Sequence, residues 1–125
     1  MISFEAYKVL HLIGVVAVFA ALGGVAVHAG NGGSRPENTL RRVISALHGL
    51  GLIVILIAGF GMIARLDLFR GGLPAWVYGK LAVWLAAGAL LAIPYRRPAA
   101  ARGILMIGLP LLGAIAAWLA IYKPG

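Results

Sequence analysis

The chain has 125 residues, 62% of them hydrophobic and 11% charged, with a mean hydropathy of +1.01 and a net charge of +8. So apolar a composition excludes an ordinary soluble domain, and the lack of cysteine excludes disulfides, thiolate metal sites and covalently attached c-type haem. The basic excess does not point to nucleic acid, because Lys and Arg gather at the ends of apolar blocks, where they act as topology determinants and contacts to anionic lipid.

Four apolar blocks account for nearly the whole sequence, at about 4–27, 43–63, 74–93 and 104–122. Each approximates the roughly 20 residues that a helix needs to cross a bilayer. The expected architecture is therefore all-α: one domain, 1–125, forming an integral membrane four-helix bundle of up-down-up-down topology. The first block is free of charge from 9 to 27, and His11 is its one strongly polar interruption. Val27-His28-Ala29 resembles a signal-peptide cleavage site. The apolar run before it is longer than a signal core and no basic region precedes it, so the block is expected to be retained.

The stretch His28–Asn38 is rich in turn formers and reads as a solvated loop. Asn38 or Thr39 can cap the second helix, and Glu37 stands four residues before Arg41, as a helical ion pair would. The second helix carries His48 and the glycines Gly49, Gly51, Gly59 and Gly61. The connection 64–73 mixes charge with Leu and Phe and is expected to lie along the membrane surface. Pro74 suits the start of the third helix, which contains Lys80, and Pro94–Pro98 closes it. In the fourth helix Pro110 follows Gly108 and predicts a kink.

Charge sets the expected orientation. Arg35, Arg41, Arg42, Arg96, Arg97 and Arg102 fall in loops 1 and 3, against Lys8, Arg65, Arg70 and Lys123 on the opposite side. This places loops 1 and 3 in the cytoplasm and both termini outside, in a multi-pass protein of the bacterial inner-membrane type. Phe4, Tyr7, Phe69, Trp76, Tyr78, Trp118 and Tyr122 form an aromatic belt on the terminal side.

Counting along the helices places His11 about 10 Å and Lys80 about 9 Å below the terminal face, in one layer. His48 lies about 10 Å below the Arg-rich face. Ionisable groups at such depth mark functional sites by default. Haem b is one chemistry that fits: neutral imidazole is a standard axial ligand and no cysteine is needed. His11 and His48 are the candidate metal ligands: Lys80 or Met62 could stand opposite His11, and His48 could serve a second haem with Met106 or lie across the same iron as His11. Arg65 and Arg70, at the mouth of the His11 layer, could neutralise propionates. Proton transport and quinone binding are the other chemistries such groups serve.

Blander roles stand beside these. An intramembrane His can simply hydrogen-bond a backbone carbonyl, and Lys80 can snorkel its ammonium to the interface. The stripe Gly14, Ala17, Ala21, Gly24 reads as a close helix–helix contact, within the chain or with a second copy or larger membrane complex. Met62 and Met106 read as core filler.

The run Tyr7-Lys8-Val9-Leu10-His11-Leu12-Ile13-Gly14-Val15-Val16-Ala17, followed by Ala20-Ala21-Leu22, resembles the first helix of the HemJ-type protoporphyrinogen oxidases and of the SirB-like membrane proteins. Trp76-Val77-Tyr78-Gly79-Lys80-Leu81 resembles the Trp-x-x-x-Lys-Leu segment of a later helix in both groups. The resemblance implies haem b binding through His11 and Lys80. The sequence departs from the HemJ group at Val18, where that group has Trp, and at Val25-Ala26-Val27, where it has Leu-Pro-Arg. The missing Pro-Arg argues against porphyrinogen oxidation itself.

Three functions are thus expected, in this order. The first is a small membrane haem b protein of electron transfer or haem handling, and any enzymatic activity would be that of a haem-dependent oxidoreductase. The second is a non-catalytic accessory or structural membrane subunit without cofactor. The third is a small proton-coupled transporter, disfavoured because Glu5, Glu37 and Asp67 all lie at helix ends or in loops.

Overall fold

The computed structural model describes residues 2–68 and 70–123, which are mostly helical and contain no strand. The helices are α1 (Phe4–Gly30), α2 (Arg41–Arg65), α3 (Ala75–Ala89), α4 (Ile93–Arg96), α5 (Pro98–Gly103) and α6 (Leu109–Tyr122), with a π-helical turn, Ile104–Gly108, joining the last two. Three stretches are long and apolar enough to cross a membrane: Phe4–Gly30, Arg41–Arg65 and Pro98–Tyr122. Phe69 of the expected aromatic belt lies outside the described residues.

Local chemistry explains the boundaries. Ser3 caps α1, its Oγ accepting from the Ala6 N–H at 3.1 Å. The helix ends where Gly32 takes φ +86°, a conformation suited to glycine, and the Gly33 N–H closes the turn on the His28 carbonyl at 2.9 Å. The third block departs most from expectation. Its helix, α3, has 15 residues, about 22 Å at 1.5 Å each and short of a hydrocarbon core of about 30 Å. Pro94 is the cause: it has no N–H, and its ring opposes the carbonyl four residues back, so the chain leaves the helix through a turn at 90–92 and resumes as α4.

The last helix begins earlier than expected and bends differently. Arg97, before Pro98, leaves the helical region (φ −134°, ψ 75°), since a following proline disfavours it there. Ahead of Pro110 the Leu109 N–H reaches the Ile104 carbonyl, five residues back. This widened turn accommodates the proline without breaking the helix.

The packing register runs antiparallel throughout. Tyr7 fills the space at Gly61, Gly14 meets Gly51 and Ile55, and Gly24 faces Ile44. Gly88 on α3 faces Leu52 on α2, while Gly30 meets Ala101 and Gly113 meets Phe19. Gly79 rests against Leu119, which pairs α3 with α6. The contacts of α1 with α2 and with the last helix, and those of α2 with α3, thus run antiparallel. The core is small: Val18, Leu22, Ala87 and Leu109, with Phe19, Leu52, Ile55, Leu90, Leu91, Ile104 and Leu112 packed around it. Outside it the surface is apolar, with Val16, Leu50, Ile57, Leu85, Met106, Ile107 and Ile121 all exposed.

The α1–α2 crossing is the tightest contact. A Cβ on Gly14 would stand 2.9 Å from the Gly51 carbonyl oxygen, and one on Gly51 would stand 2.9 Å from Val18 Cγ2 and 3.3 Å from Ala17 Cβ. Gly23 and Gly49 have nothing within 4 Å. Thermal unfolding in detergent should show Gly14→Ala losing about 1–3 kcal/mol by overpacking. Gly49→Ala, which adds helix propensity in open space, should be neutral or gain up to about 1 kcal/mol.

Candidate functional site

Inside the bundle, three aromatic N–H groups are aimed at carbonyls of neighbouring helices. His11 Nδ1, on α1, lies 3.0 Å from the Ile55 oxygen of α2. Trp84 Nε1, on α3, donates to the Leu52 oxygen at 2.9 Å. His48 Nε2, on α2, lies 3.0 Å from the Ala87 oxygen of α3. A carbonyl has no proton to give, so in each histidine pair the ring donates and its other nitrogen keeps the lone pair. That nitrogen is Nε2 in His11 and Nδ1 in His48.

The acceptors are of two kinds. Ile55 and Leu52 lie within α2, where a carbonyl with two lone pairs takes a second donor beside its helical one. Ala87 belongs to the last turn of α3, whose carbonyls lack helical donors, so His48 satisfies a helix end. His48 is 5% exposed, and its bond is what allows α3 to stop inside the bundle. Gly59 lies beside the first of these rings: a Cβ there would meet the His11 ring at 3.5 Å, ordinary packing distance, so the contact does not require glycine.

His11 and Lys80, expected in one layer, are both half-buried, and no hydrogen bond joins them among the contacts described. The Lys123 Nζ sits 5.7 Å from the centroid of the Trp76 ring, an attractive cation–π geometry. His48 stands apart: it lies seven residues from Ile55 along α2, or about 10 Å, so the two histidines define separate places. Among the described residues no three His, Cys, Asp or Glu side chains cluster as metal ligands would.

Arg65 and Arg70 are exposed. Arg65 is ten residues past Ile55, about 15 Å along α2, and Arg70 Nε pairs with Asp67 at 3.4 Å with its side chain 86% exposed. Met106, 63% exposed, faces outward and does not share the enclosed setting of His48.

At the Arg-rich end the structure assembles a cleft of about 420 Å³ that sequence reasoning missed. It opens between α2 and the α3–α4 turn, which pack against each other far less closely than α1 and α2. Ser45 and His48 line it from α2, Tyr95 and Arg96 from α4, and Arg35 from the first loop. The loop is fastened to this end by side chains: His28 Nε2 donates to the Ser34 oxygen at 2.7 Å, and Asn38 Nδ2 donates to Tyr95 Oη at 3.0 Å. Asn38 does not cap α2 as a helix N-cap would; its Oδ1 takes the Leu40 N–H in a local turn. Nor does Glu37 pair with Arg41. Its Oε1 accepts from the Ser34 N–H at 2.8 Å and from Ser34 Oγ at 2.7 Å, while Arg41 donates to the carbonyls of Pro36 and Asn38.

The signal for Trp84 was present in the sequence. It lies nine residues into α3, deeper than an interfacial tryptophan, and an enclosed indole N–H needs an acceptor. The cleft left no such signal, because its residues come from four separate stretches. No protein-family model matches the sequence, and neither curated proteins nor solved structures give a match.

Two outcomes test these contacts. Trp84→Phe removes the donor but keeps the ring, and should lower stability by about 0.6–1.7 kcal/mol in detergent unfolding, the range of such bonds in membrane bundles. The Ser34 backbone N–H, then its hydroxyl, hold the exposed Glu37 carboxyl below its ordinary 4.5, with His28 adding in the same direction. The lowered folded value means that its stabilising contribution is complete above 4.5 and is lost as pH falls through that value. Stability measured against pH should therefore show wild type losing, below pH 4.5, an increment that Glu37→Gln lacks throughout.

Proposed function

We propose that this chain is a four-helix integral membrane protein with a non-catalytic, accessory role, whose buried rings serve as interhelical fasteners. The observation that carries this reading is the set of three ring N–H to carbonyl bonds, made by Trp84, which can ligate nothing, in the same way as by His11 and His48. Two of the α2 glycines support it: Tyr7 occupies the space at Gly61, and Val18 with Ala17 that at Gly51, so neither is open to a flat cofactor. Only 17% of the apolar window of α2 and 11% of that of the last helix are buried, so lipid or a partner must cover the rest. With α4 added, the third segment spans 75–96, long enough to complete a fourth crossing beside the three uninterrupted ones. The Arg-rich end is assigned to the cytoplasm on charge, with both termini outside.

One observation favours a second reading, a haem b protein. Donation from His11 Nδ1 to a backbone carbonyl is the contact that orients a metal-binding imidazole and leaves Nε2 for the metal. His11 would be the axial ligand and the nearby Lys80 a second ligand or a propionate partner, in keeping with the resemblance to the HemJ-type and SirB-like proteins. His48 fits less well, since its Nε2 is committed to Ala87. A bound haem b would supply one-electron chemistry; this chain would hold it, orient the imidazole and exclude water.

The absorption spectrum separates the two. Protein purified in mild detergent from haem-replete cells should be colourless and remain so on addition of hemin. A Soret band that is abolished in His11→Ala and retained in His48→Leu would replace the first reading with the second.

A further inference from the structure

The cleft at the Arg-rich end belongs to neither reading, and its chemistry is that of an anion site. Arg35 and Arg96 line it, and no carboxylate among the described residues pairs with either. Asp67 pairs with Arg70, and Glu37 is occupied by Ser34. Two guanidiniums with unspent donors beside one cavity make a strong claim on a phosphate, which they can bind in bidentate fashion.

The remaining polar groups add direction. Asn38 donates to the Tyr95 oxygen, so the phenol proton is left to donate elsewhere. Ser45 brings a second hydroxyl. His48, with Nε2–H spent on Ala87, brings an acceptor at Nδ1 that suits a hydroxyl of the ligand rather than its phosphate. The other flank is apolar, formed by Val25, Ile44 and Leu91. A volume of about 420 Å³ is in the usual range for small-ligand sites, about 300–1,000 Å³.

We infer that this cleft binds the phosphate headgroup of an anionic phospholipid carrying headgroup hydroxyls. Lipid is favoured over a soluble phosphate ester by the apolar flank and by the position of the mouth, at the end where Arg41, Arg42, Arg97 and Arg102 would meet lipid headgroups. The inference rests on the membrane-spanning part of the proposed function and is independent of any cofactor.

The test uses the full chain in nonionic detergent, with thermal stability and affinity followed on addition of phosphatidylglycerol, phosphatidylcholine or free glycerol phosphate. Phosphatidylglycerol should stabilise the protein, and phosphatidylcholine and free glycerol phosphate should do so far less. The double variant Arg35→Gln/Arg96→Gln should bind phosphatidylglycerol at least tenfold more weakly. The double variant Arg97→Gln/Arg102→Gln, which removes equal charge outside the cleft, should lose less than threefold. Ser45→Ala, a truncation at an exposed position, should fold normally and still lose about threefold. Equal losses in the two arginine double variants, or no preference for phosphatidylglycerol over phosphatidylcholine, would overturn the site. Equal binding of free glycerol phosphate would overturn lipid as its source. Loss of the protein from carbonate-washed membranes would instead sink the spanning reading, so the two failures are distinguishable.

Discussion

Backbone meets backbone where Gly14 crosses Gly51, and the other contacts between the first two helices follow from that approach. With no side chain at either position, α1 and α2 come close enough for the His11 ring to reach a carbonyl on its neighbour. In water, burial of apolar surface would hold such helices together. In a bilayer, where the proposed reading puts this chain, that drive is absent, and packing density and polar contacts must supply the attraction. Small residues, Gly14, Ala17 and Gly51, at the crossing and ring donors near it would meet that demand.

Those donors do different work despite their common geometry. His11 and Trp84 each lend a proton to a carbonyl already engaged in α2, and so add attraction between helices without repairing a deficit. His48 repairs one: Pro94 ends the regular helix early, and the Ala87 carbonyl would otherwise be stranded in an apolar interior. An unsatisfied carbonyl there would cost a few kcal/mol, more than any one of these contacts contributes. The interruption of α3 and the presence of an enclosed histidine opposite it are two parts of one solution.

Much of the fold was legible because hydropathy is a local property. The blocks at 4–27 and 43–63 lie within α1 and α2, and Gly14, Ala17 and Gly24 face α2 as their spacing implied. The third block was less legible, because twenty apolar residues look like one helix and the break at Pro94 is a backbone event inside them. What each polar group touches was not readable. Whether His48 meets a metal, a lipid or a carbonyl depends on which residue of α3 stands opposite, and a single sequence carries no record of that pairing. Glu37 shows the same limit at short range, where a four-residue spacing suggested Arg41 and a tight turn delivered Ser34 instead.

The widened turn at Ile104–Gly108 has a bearing on the last helix as a whole. One residue more than the regular count sits in that turn, so the faces before and after it are set at independent angles about the axis. Ala101 can address α1 while Leu119 addresses Gly79 on α3, although an unbroken spiral would phase them otherwise. Deleting one residue there would straighten the helix yet swing its second half by about 100°. The cost of the loop in the spiral is thus the means by which one rod serves two neighbours.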